Sequence, residues 1–330
     1  MSESQTMLVE TAERLFADLV QTRDADFSAL WQPVAQSGFP LLLVPAETGG
    51  FGGSWDDACL VTRLAGYYAL PLPVGEAVIA GFLERAGGLQ PIADGFGSLA
   101  PRTEGRFGLG RFSGLVAGVP WGRDSSFIVA QLEDGTLLRL ETATAVRVEH
   151  HISPAEEPRD TIYFEAAPAT VVTYKADLGA LGALLRAAQI AGALDAALAL
   201  SVTYANQRVQ FGKPLARFQA IQQSLAFFAE EAAAANCAAR AAFAAMQEGA
   251  AGFEIASAKL RANRAVGAGT AIAHQVHGAI GITREHGLHH LTRRLLGWRS
   301  EFGNDRFWSN RLGRAVAAAG ADNFWTGLTG

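Results

Sequence analysis

The first quarter of the chain has the hydrophobic spacing of amphipathic helices. Apolar side chains recur every three or four residues, at Leu8, Ala12, Leu15, Phe16 and Leu19. This period predicts a helix. Residues 38–40 and the glycine-rich segment 45–53 interrupt the pattern, and a second helical run begins near Trp55. We therefore predict a helical N-terminal domain over residues 1–97.

The pattern changes to short runs of β-forming residues between about residues 98 and 172. Ser126–Gln131 and Thr161–Phe164 are rich in β-branched and aromatic side chains. Asp134-Gly135 lies between two such runs, and this dipeptide is a strong hairpin signal. The sequence predicts a small middle β domain over residues 98–175.

Two glycine-rich segments resemble phosphate-binding loops only superficially. Segment 45–53 lacks the lysine and hydroxyl residue of a P-loop, and no clear strand precedes it, so we interpret it as a structural turn. Segment 108–114 departs from the dinucleotide fingerprint, because its last glycine spacing is one residue too long and no helix follows. Neither segment predicts a nucleotide site.

The last part of the chain, residues 176–330, is alanine-rich and again helical. Four long segments can be delimited, at about residues 178–207, 215–248, 252–276 and 285–320, with an interruption of the last at Gly303. Short glycine-bearing connections predict an antiparallel bundle. The fold class predicted is mainly α with a small β domain inserted between helical regions.

Charge and composition exclude several classes of function. The chain has 330 residues, 49% of them hydrophobic, and 27 basic against 32 acidic residues give a net charge of −5. This balance creates no general attraction for nucleic acid or for an anionic membrane. Cys59 and Cys237 form neither a metal knuckle nor a redox pair by spacing. With no basic start before an apolar run and no long uncharged stretch, we expect a cytoplasmic protein without a membrane span.

The segment Arg208–Gln219 combines features suited to an anionic ligand. Arg208 ends one long helix, Gly212 permits a turn, and a new helix begins near Gln219. A helix N-terminus offers unpaired N–H groups, and arginine offers a planar fork of donors. A second segment, Gln275–Thr283, places Gly278 at a helix end, where backbone N–H groups can approach a bulky ligand.

These two segments resemble the R-x-x-F-G-x-P-L-x-x-F-Q and Q-x-x-G-G-x-G-x-T motifs of acyl-CoA dehydrogenases, flavoenzymes that desaturate acyl-CoA thioesters. The resemblance implies an FAD cofactor whose diphosphate is held across a subunit interface of a dimer or tetramer. The positions it places at the cofactor are Arg208, Phe211, Gln219, Gln275, Gly278, Ala279 and Asn304. Ala279 departs from the motif, since a second glycine is common there.

The resemblance also implies a carboxylate base that removes the α-proton, so that a trans-2 double bond forms. Glu301 occupies nearly the place of the glutamate in the family's Y-E-G-T motif, although Phe302 intervenes before Gly303. Some members carry the base on the first bundle helix, where this chain has Leu185. Glu301 is therefore the expected base, and the alternative is a surface carboxylate paired with Arg299 or Arg306.

Histidine and arginine clusters mark the last third of the chain. The histidines are His274, His277, His286, His289 and His290. We expect polar helix residues or contacts to cofactor phosphate rather than a metal site, since no carboxylate or cysteine accompanies them in a recognisable pattern. The arginines are Arg293, Arg294, Arg299, Arg306, Arg311 and Arg314. Salt bridges within an oligomer are favoured over a nucleic-acid surface.

One family segment is absent from the middle of the chain. The motif C-x-T-E-P-x-x-G-S-D, which lies along flavin and substrate in typical members, cannot be found. This loss resembles the smaller subunits of heteromeric dehydrogenases that act on steroid side chains. The sequence thus predicts either a dehydrogenase acting on an acyl-CoA, with electron-transfer flavoprotein or a similar acceptor, or a non-catalytic partner subunit that completes the FAD site of a sister chain. A homo-oligomer with a rebuilt flavin pocket, an oxidase and a helical nucleic-acid-binding module are further alternatives.

Overall fold

The computed structural model describes residues 2–92, 95–249, 251–323 and 325–326. Its N-terminal part is helical, with α1 (Glu3–Gln21), α2 (Phe27–Ser37), α3 (Trp55–Tyr67) and α4 (Val74–Ala86). Ser2 is the N-cap residue of α1 and Ser54 is that of α3, and each serine takes part in a capping box that satisfies free backbone N–H groups. The predicted helical character of this region is confirmed.

The glycine-rich segment 45–53 forms a turn that packs against the backbone of Leu42 and Val44. A Cβ on Gly50 would lie 2.1 Å from the carbonyl oxygen of Val44, and one on Gly53 would lie 2.8 Å from that of Leu42. The glycines therefore allow two stretches of backbone to approach each other closely. This contact accounts for them without a ligand.

The seven strands of the middle region form one sheet. They are β1 (Gly97–Leu99), β2 (Arg102–Gly108), β3 (Arg111–Pro120), β4 (Phe127–Gln131), β5 (Leu137–Glu141), β6 (Arg147–Glu149) and β7 (Arg159–Val172). The order is β1-β4-β5-β7-β3-β2, with β6 paired to β7. Asp134-Gly135 lies in the turn between β4 and β5, as predicted, and Gly135 has a φ of 88°. The glycines of segment 108–114 belong to the β2–β3 hairpin rather than to a nucleotide loop.

The C-terminal part is a helical bundle of α5 (Leu178–Gln207), α6 (Gln219–Glu248), α7 (Gly252–His277), α8 (Leu288–Ser300) and α9 (Asp305–Ala319). A small hairpin of β8 (Val209–Gln210) and β9 (Lys213–Pro214) joins α5 to α6. The second helix begins four residues later than predicted, because residues 215–217 form a 3₁₀ turn and Phe218 is extended. The predicted interruption near Gly303 separates α8 from α9. The fold class, mainly α with a small sheet, is confirmed.

Helix α5 lies at the centre of the structure. It contacts α3, α6, α7 and α8, and most of its side chains are buried. Its length and composition would also allow a membrane crossing, but 78% of its apolar window is buried inside the protein. We therefore interpret α5 as the core helix of the bundle.

Glycine permits α3 and α5 to cross almost in backbone contact. A Cβ at Gly192 would lie 1.9 Å from the carbonyl oxygen of Arg63, and a Cβ at Gly66 would lie 2.0 Å from that of Gln189. These contacts are reciprocal, since each glycine faces the other helix's backbone. The crossing fixes how the N-terminal helices sit on the bundle.

Replacing Gly192 with alanine should therefore force the two helices apart. We expect Gly192→Ala to lower the free energy of unfolding by about 1–3 kcal/mol or more, the usual range for overpacking. Gly267→Ala is the matched control, because a Cβ there would meet only Arg299 Nη1 at 3.7 Å; it should add about 0.5–1 kcal/mol. Chemical denaturation measures both changes, and equal effects would contradict the close crossing.

Candidate functional site

The two sequence motifs meet at one end of the bundle. The antiparallel course of α5, α6 and α7 brings the end of α5, the start of α6 and the end of α7 together. Tyr204, four residues before Arg208, stacks on His277 with ring centroids 4.6 Å apart and planes at 26°. This region is named the motif end of the bundle.

Arg208 is exposed at the motif end. Its Nη2 donates to the side-chain oxygen of Gln210 at 2.9 Å in the amide orientation that satisfies both groups. Phe211 stands at the tip of the β8–β9 hairpin, 91% exposed and with a φ of 51°. Gln219 is the exposed first residue of α6, and no side chain caps the N–H groups of this helix. The free donors and the exposed guanidinium form a surface that favours anions.

The end of α7 adds open backbone to this surface. Gly278 has a φ of 62°, and a Cβ at this position would meet nothing within 4 Å. Gln275 and Ala279 are exposed beside it. The chain can therefore present its backbone to a ligand here.

Two histidine nitrogens are buried without partners beside the motif end. His277 is 3% exposed, and its Nδ1 donates to the carbonyl oxygen of Ala273 at 2.8 Å, so its Nε2 is an acceptor, and that acceptor has no donor. Nδ1 of His274 is likewise buried and unpaired. Burial lowers the pKa of both rings, and His286, whose ring lies 4.7 Å from that of His277, lowers the pKa of His277 further. Unsatisfied buried groups of this kind are rare and call for an explanation.

Glu301 lies far from the motif end. It follows α8 and contacts Arg186 near the start of α5, and Arg186 and Tyr204 are 18 residues apart (204 − 186). At 1.5 Å per residue, that is about 27 Å along the helix axis. The two motifs therefore come together, whereas Glu301 is separate from both.

Glu301 is an ion-paired carboxylate with a side chain only 17% exposed. Arg159 Nε donates to its Oε1 at 2.8 Å, and Arg186 Nε donates to its Oε2 at 2.7 Å. Burial alone would raise the pKa of Glu301, but the two guanidinium groups more than offset it and lower the pKa to about 2. A pKa this low stabilises the charged form, which is the opposite of the perturbation expected for a base.

The pairing of Glu301 belongs to a larger buried charge network. Arg186 Nη2 donates to Glu76 of α4 at 2.7 Å, and Arg159 Nη2 donates to Glu157 at 2.7 Å. Arg294 of α8 closes the series by donating to Glu157 at 2.8 Å. The network contains three carboxylates and three guanidinium groups: Glu76, Glu157, Glu301, Arg159, Arg186 and Arg294. It is neutral as a whole and joins the N-terminal helices, the sheet and the bundle.

Apolar side chains close the space around this network. Phe302 is 8% exposed, and its ring lies 5.5 Å from the Arg186 guanidinium. It packs on Gly182, where a Cβ would lie 2.1 Å from the Phe302 ring. Leu185, at the other position considered for a base, is fully buried. The three cavities of about 1000, 430 and 290 Å³ are lined by residues other than Glu301 and Arg186.

Lys259 of α7 holds the loop that carries Glu301 by hydrogen bonds to its backbone. Its Nζ donates to Asn263 Oδ1 at 2.7 Å and lies 3.0–3.2 Å from the carbonyl oxygens of Trp298, Arg299 and Gly303. Burial lowers the pKa of Lys259 to about 7. Through these four contacts Lys259 holds the end of α8 in place. Asn304 caps the following helix by accepting from Phe307 N at 3.0 Å.

The late arginines pair mainly within the chain itself. Arg293 binds Glu156, Arg294 binds Glu157, Arg299 binds Asp305 and Arg311 binds Asp177. The expectation that these residues bridge subunits is therefore corrected for these four. The sequence pattern could not show this, because most of the partners lie more than 100 residues away.

Comparisons with known proteins agree with the fold and the motifs. Residues 180–317 match the family model "Acyl-CoA dehydrogenase, C-terminal domain". The acyl-CoA dehydrogenase IpdE2 of Mycobacterium tuberculosis is 28% identical over 308 residues, which are 89% of this chain and 92% of that protein. FadE34 of the same organism is 31% identical over 88% of this chain but 43% of its own length.

A comparison with solved structures also finds the fold of this chain in a known protein. The ChsE4–ChsE5 complex from Mycobacterium tuberculosis matches with a TM-score of 0.87 and 21% identity, over 97% of this chain and 99% of the matched one. The family domain spans the helices that carry both motifs, and the fold extends to the rest of the chain. Residues 180–317 are thus an acyl-CoA dehydrogenase C-terminal domain, and the chain as a whole is similar in sequence and fold to acyl-CoA dehydrogenases, which are oxidoreductases that act on acyl-CoA.

Proposed function

We propose that this chain is a subunit of an FAD-dependent acyl-CoA dehydrogenase that desaturates an acyl-CoA thioester between its α- and β-carbons. In this proposal its motif end holds the FAD diphosphate at a subunit interface, and a sister chain supplies the catalytic base. The pairing of Glu301 with Arg159 and Arg186 carries the proposal.

The residues of the motif end fit a dinucleotide diphosphate. Arg208 is an exposed cation, the first turn of α6 has uncapped N–H groups, and Gly278 leaves backbone open. Anionic oxygens complement such donors. Bound FAD would supply the acceptor for the hydride that leaves the β-carbon.

The separation along α5 favours an assembly of chains. Arg186, which binds Glu301, and Tyr204, which lies beside the motif end, are about 27 Å apart along α5, so Arg208 and Glu301 need not serve the same flavin. The ChsE4–ChsE5 structure is a complex of two different chains, which supports a heteromeric assembly for this protein. The resemblance to steroid side-chain dehydrogenases supports a bulky acyl group, with electron-transfer flavoprotein or a similar acceptor as the electron partner.

Glu301 as the base is the alternative that geometry favours less. A base needs an unpaired carboxylate in a pocket that raises its pKa and admits the α-carbon. Glu301 has two guanidinium partners, and Phe302 and Arg186 occupy the space around it. Its role as a base thus stays a prediction, and the ion pairs favour a structural role.

Expression with and without a sister flavoprotein tests the proposal. The sister is a longer acyl-CoA dehydrogenase chain, sought among the neighbouring genes. We expect a yellow complex that acyl-CoA bleaches anaerobically, and a chain that neither retains FAD nor bleaches when expressed alone. A chain that holds FAD and is bleached by acyl-CoA without any companion would contradict the partner role. A complex without FAD would contradict the site at the motif end.

Arg208→Met should weaken FAD retention by that complex. Loss of a charge-assisted contact to the diphosphate costs about 1.5–3 kcal/mol, so we expect FAD affinity to fall roughly tenfold or more. Arg240→Met is the control, because Arg240 is an exposed arginine on α6 away from the motif. Equilibrium dialysis with absorbance near the flavin band measures both. Equal affinities would refute the grip.

Glu301→Gln should lower stability, most strongly at neutral pH. The substitution leaves two buried guanidinium groups short of an anion, which costs about 3–5 kcal/mol in comparable buried pairs. Because the folded pKa of about 2 lies below the unfolded value of about 4.3, the charge stabilises the protein above pH 4.3, and this contribution is lost as the pH falls toward 2. The difference between wild type and Glu301→Gln should therefore shrink toward acid pH.

Denaturant unfolding at pH 7 and near pH 3 measures that difference, because the contribution of the charge falls mainly below about pH 4. Glu165→Gln is the matched control, since Glu165 is exposed on β7, and it should change stability by less than about 0.5 kcal/mol. A Glu301→Gln protein as stable as wild type at pH 7 would show that the ion pairs contribute nothing.

A further inference from the structure

A cavity of about 290 Å³ lies between the N-terminal helices and the bundle, outside both sites described above. Arg23 follows the end of α1, Tyr67 is the last residue of α3 and Tyr68 follows it, and His290 lies in the first turn of α8. We name it the Arg23 cavity. Its other walls are mostly apolar side chains of α5 and α8, among them Leu200 and Leu291.

Arg23 is held in place but lacks a counter-ion. Its Nε donates to the carbonyl oxygen of Val20 at 3.2 Å. Within the described part of the chain, its two Nη groups have no hydrogen-bond partner and no carboxylate at ion-pair distance. Partial burial lowers the pKa of Arg23, the nearby Arg294 lowers it further, and only the adjacent Asp24 opposes this. A partly desolvated cation of this kind is costly until an anion joins it.

The other polar groups around the cavity do not neutralise Arg23. His290 is held neutral at pH 7, because burial and the cations Arg23 and Arg294 lower its pKa to about 4. Tyr67 and Tyr68 present phenol groups that make no hydrogen bond to described residues, and burial together with the charge of Glu13 raises the pKa of Tyr68. Glu156, the acidic residue near His290, is paired with Arg293. The cavity therefore holds a cation and hydrogen-bonding groups that have no ion-pair or hydrogen-bond partner at their polar ends among the described residues.

We propose that the Arg23 cavity binds a small organic monocarboxylate, with the carboxylate on the Arg23 guanidinium and an apolar body against Leu200, Leu291 and the tyrosine rings. Guanidinium binds carboxylate in a bidentate geometry that its free Nη groups allow. The volume lies at the lower end of the range for small-molecule sites, and mainly apolar walls with a few convergent polar groups are typical of them. Apolar walls disfavour a strongly hydrated inorganic anion.

Binding of benzoate to the purified protein tests this inference. Saturation-transfer NMR titrations with benzoate, with its neutral isostere benzamide and with inorganic phosphate as competitor measure the relative affinities. We expect saturable benzoate binding, benzamide at least about tenfold weaker because it lacks the charge, and little displacement by phosphate. Benzamide or phosphate binding as well as benzoate would overturn the proposed ligand class.

Two variants localise the binding. Arg23→Met should weaken benzoate at least about tenfold, and Ala199→Leu should block it by filling the cavity from an exposed position of α5. Arg14→Met, an exposed arginine on α1, is the control and should leave affinity unchanged. Unchanged melting temperatures establish that the variants fold. Wild-type affinity in both cavity variants, or no saturable binding by wild type up to about 10 mM, would overturn the proposal.

Discussion

A guanidinium buried at the start of the central helix constrains the rest of this molecule. Arg186 is 1% exposed, and a charge so placed is tolerated only where carboxylates surround it. Glu76 reaches it from α4 and Glu301 from the loop after α8, while Arg159 brings the sheet to the same carboxylate. Three parts of the chain must therefore dock correctly before the charges are satisfied. Lys259 and the glycine crossing of α3 and α5 fix the elements that make this docking possible.

The same network determines what Glu301 can do. A carboxylate that neutralises two arginines stabilises the fold, and it is a poor proton acceptor for the same reason. The motif end has the opposite character, since its guanidinium, its helix N-terminus and its open glycine have few partners within the chain. The charges at the Arg186 end of α5 are thus paired within the chain, whereas the Arg208 end is complementary to an anion. This asymmetry is the physical basis for our proposal that this chain binds the cofactor rather than abstracting the proton.

The sequence predicted the features that depend on neighbouring residues. Helical periodicity located the bundle helices, Asp134-Gly135 located a hairpin, and the interruption at Gly303 separates α8 from α9. The motif residues Arg208 and Gln275 were recognisable because their spacing is local. The roles of these residues stay predictions, and so do the domain boundaries.

The buried charge network could not be predicted in this way. Glu76 and Arg186 are 110 residues apart, and Arg159 and Glu301 are 142 apart, so no local pattern links them. Glu301 resembled a base from its distance to Gln275, but its partners depend on tertiary packing. The stacking of Tyr204 on His277 could not be predicted either, because it requires that the ends of α5 and α7 lie side by side.

The ionisation of Glu301 tests this account most directly. Carbon-13 NMR of protein labelled at the glutamate carboxyl carbons, with the Glu301 signal assigned from its absence in Glu301→Gln, follows that group alone. The account predicts a carboxylate that stays ionised from pH 8 down to about pH 4, because its pKa lies near 2. A Glu301 signal that titrates above about pH 6 would instead be the behaviour of a catalytic base, and it would contradict the central claim.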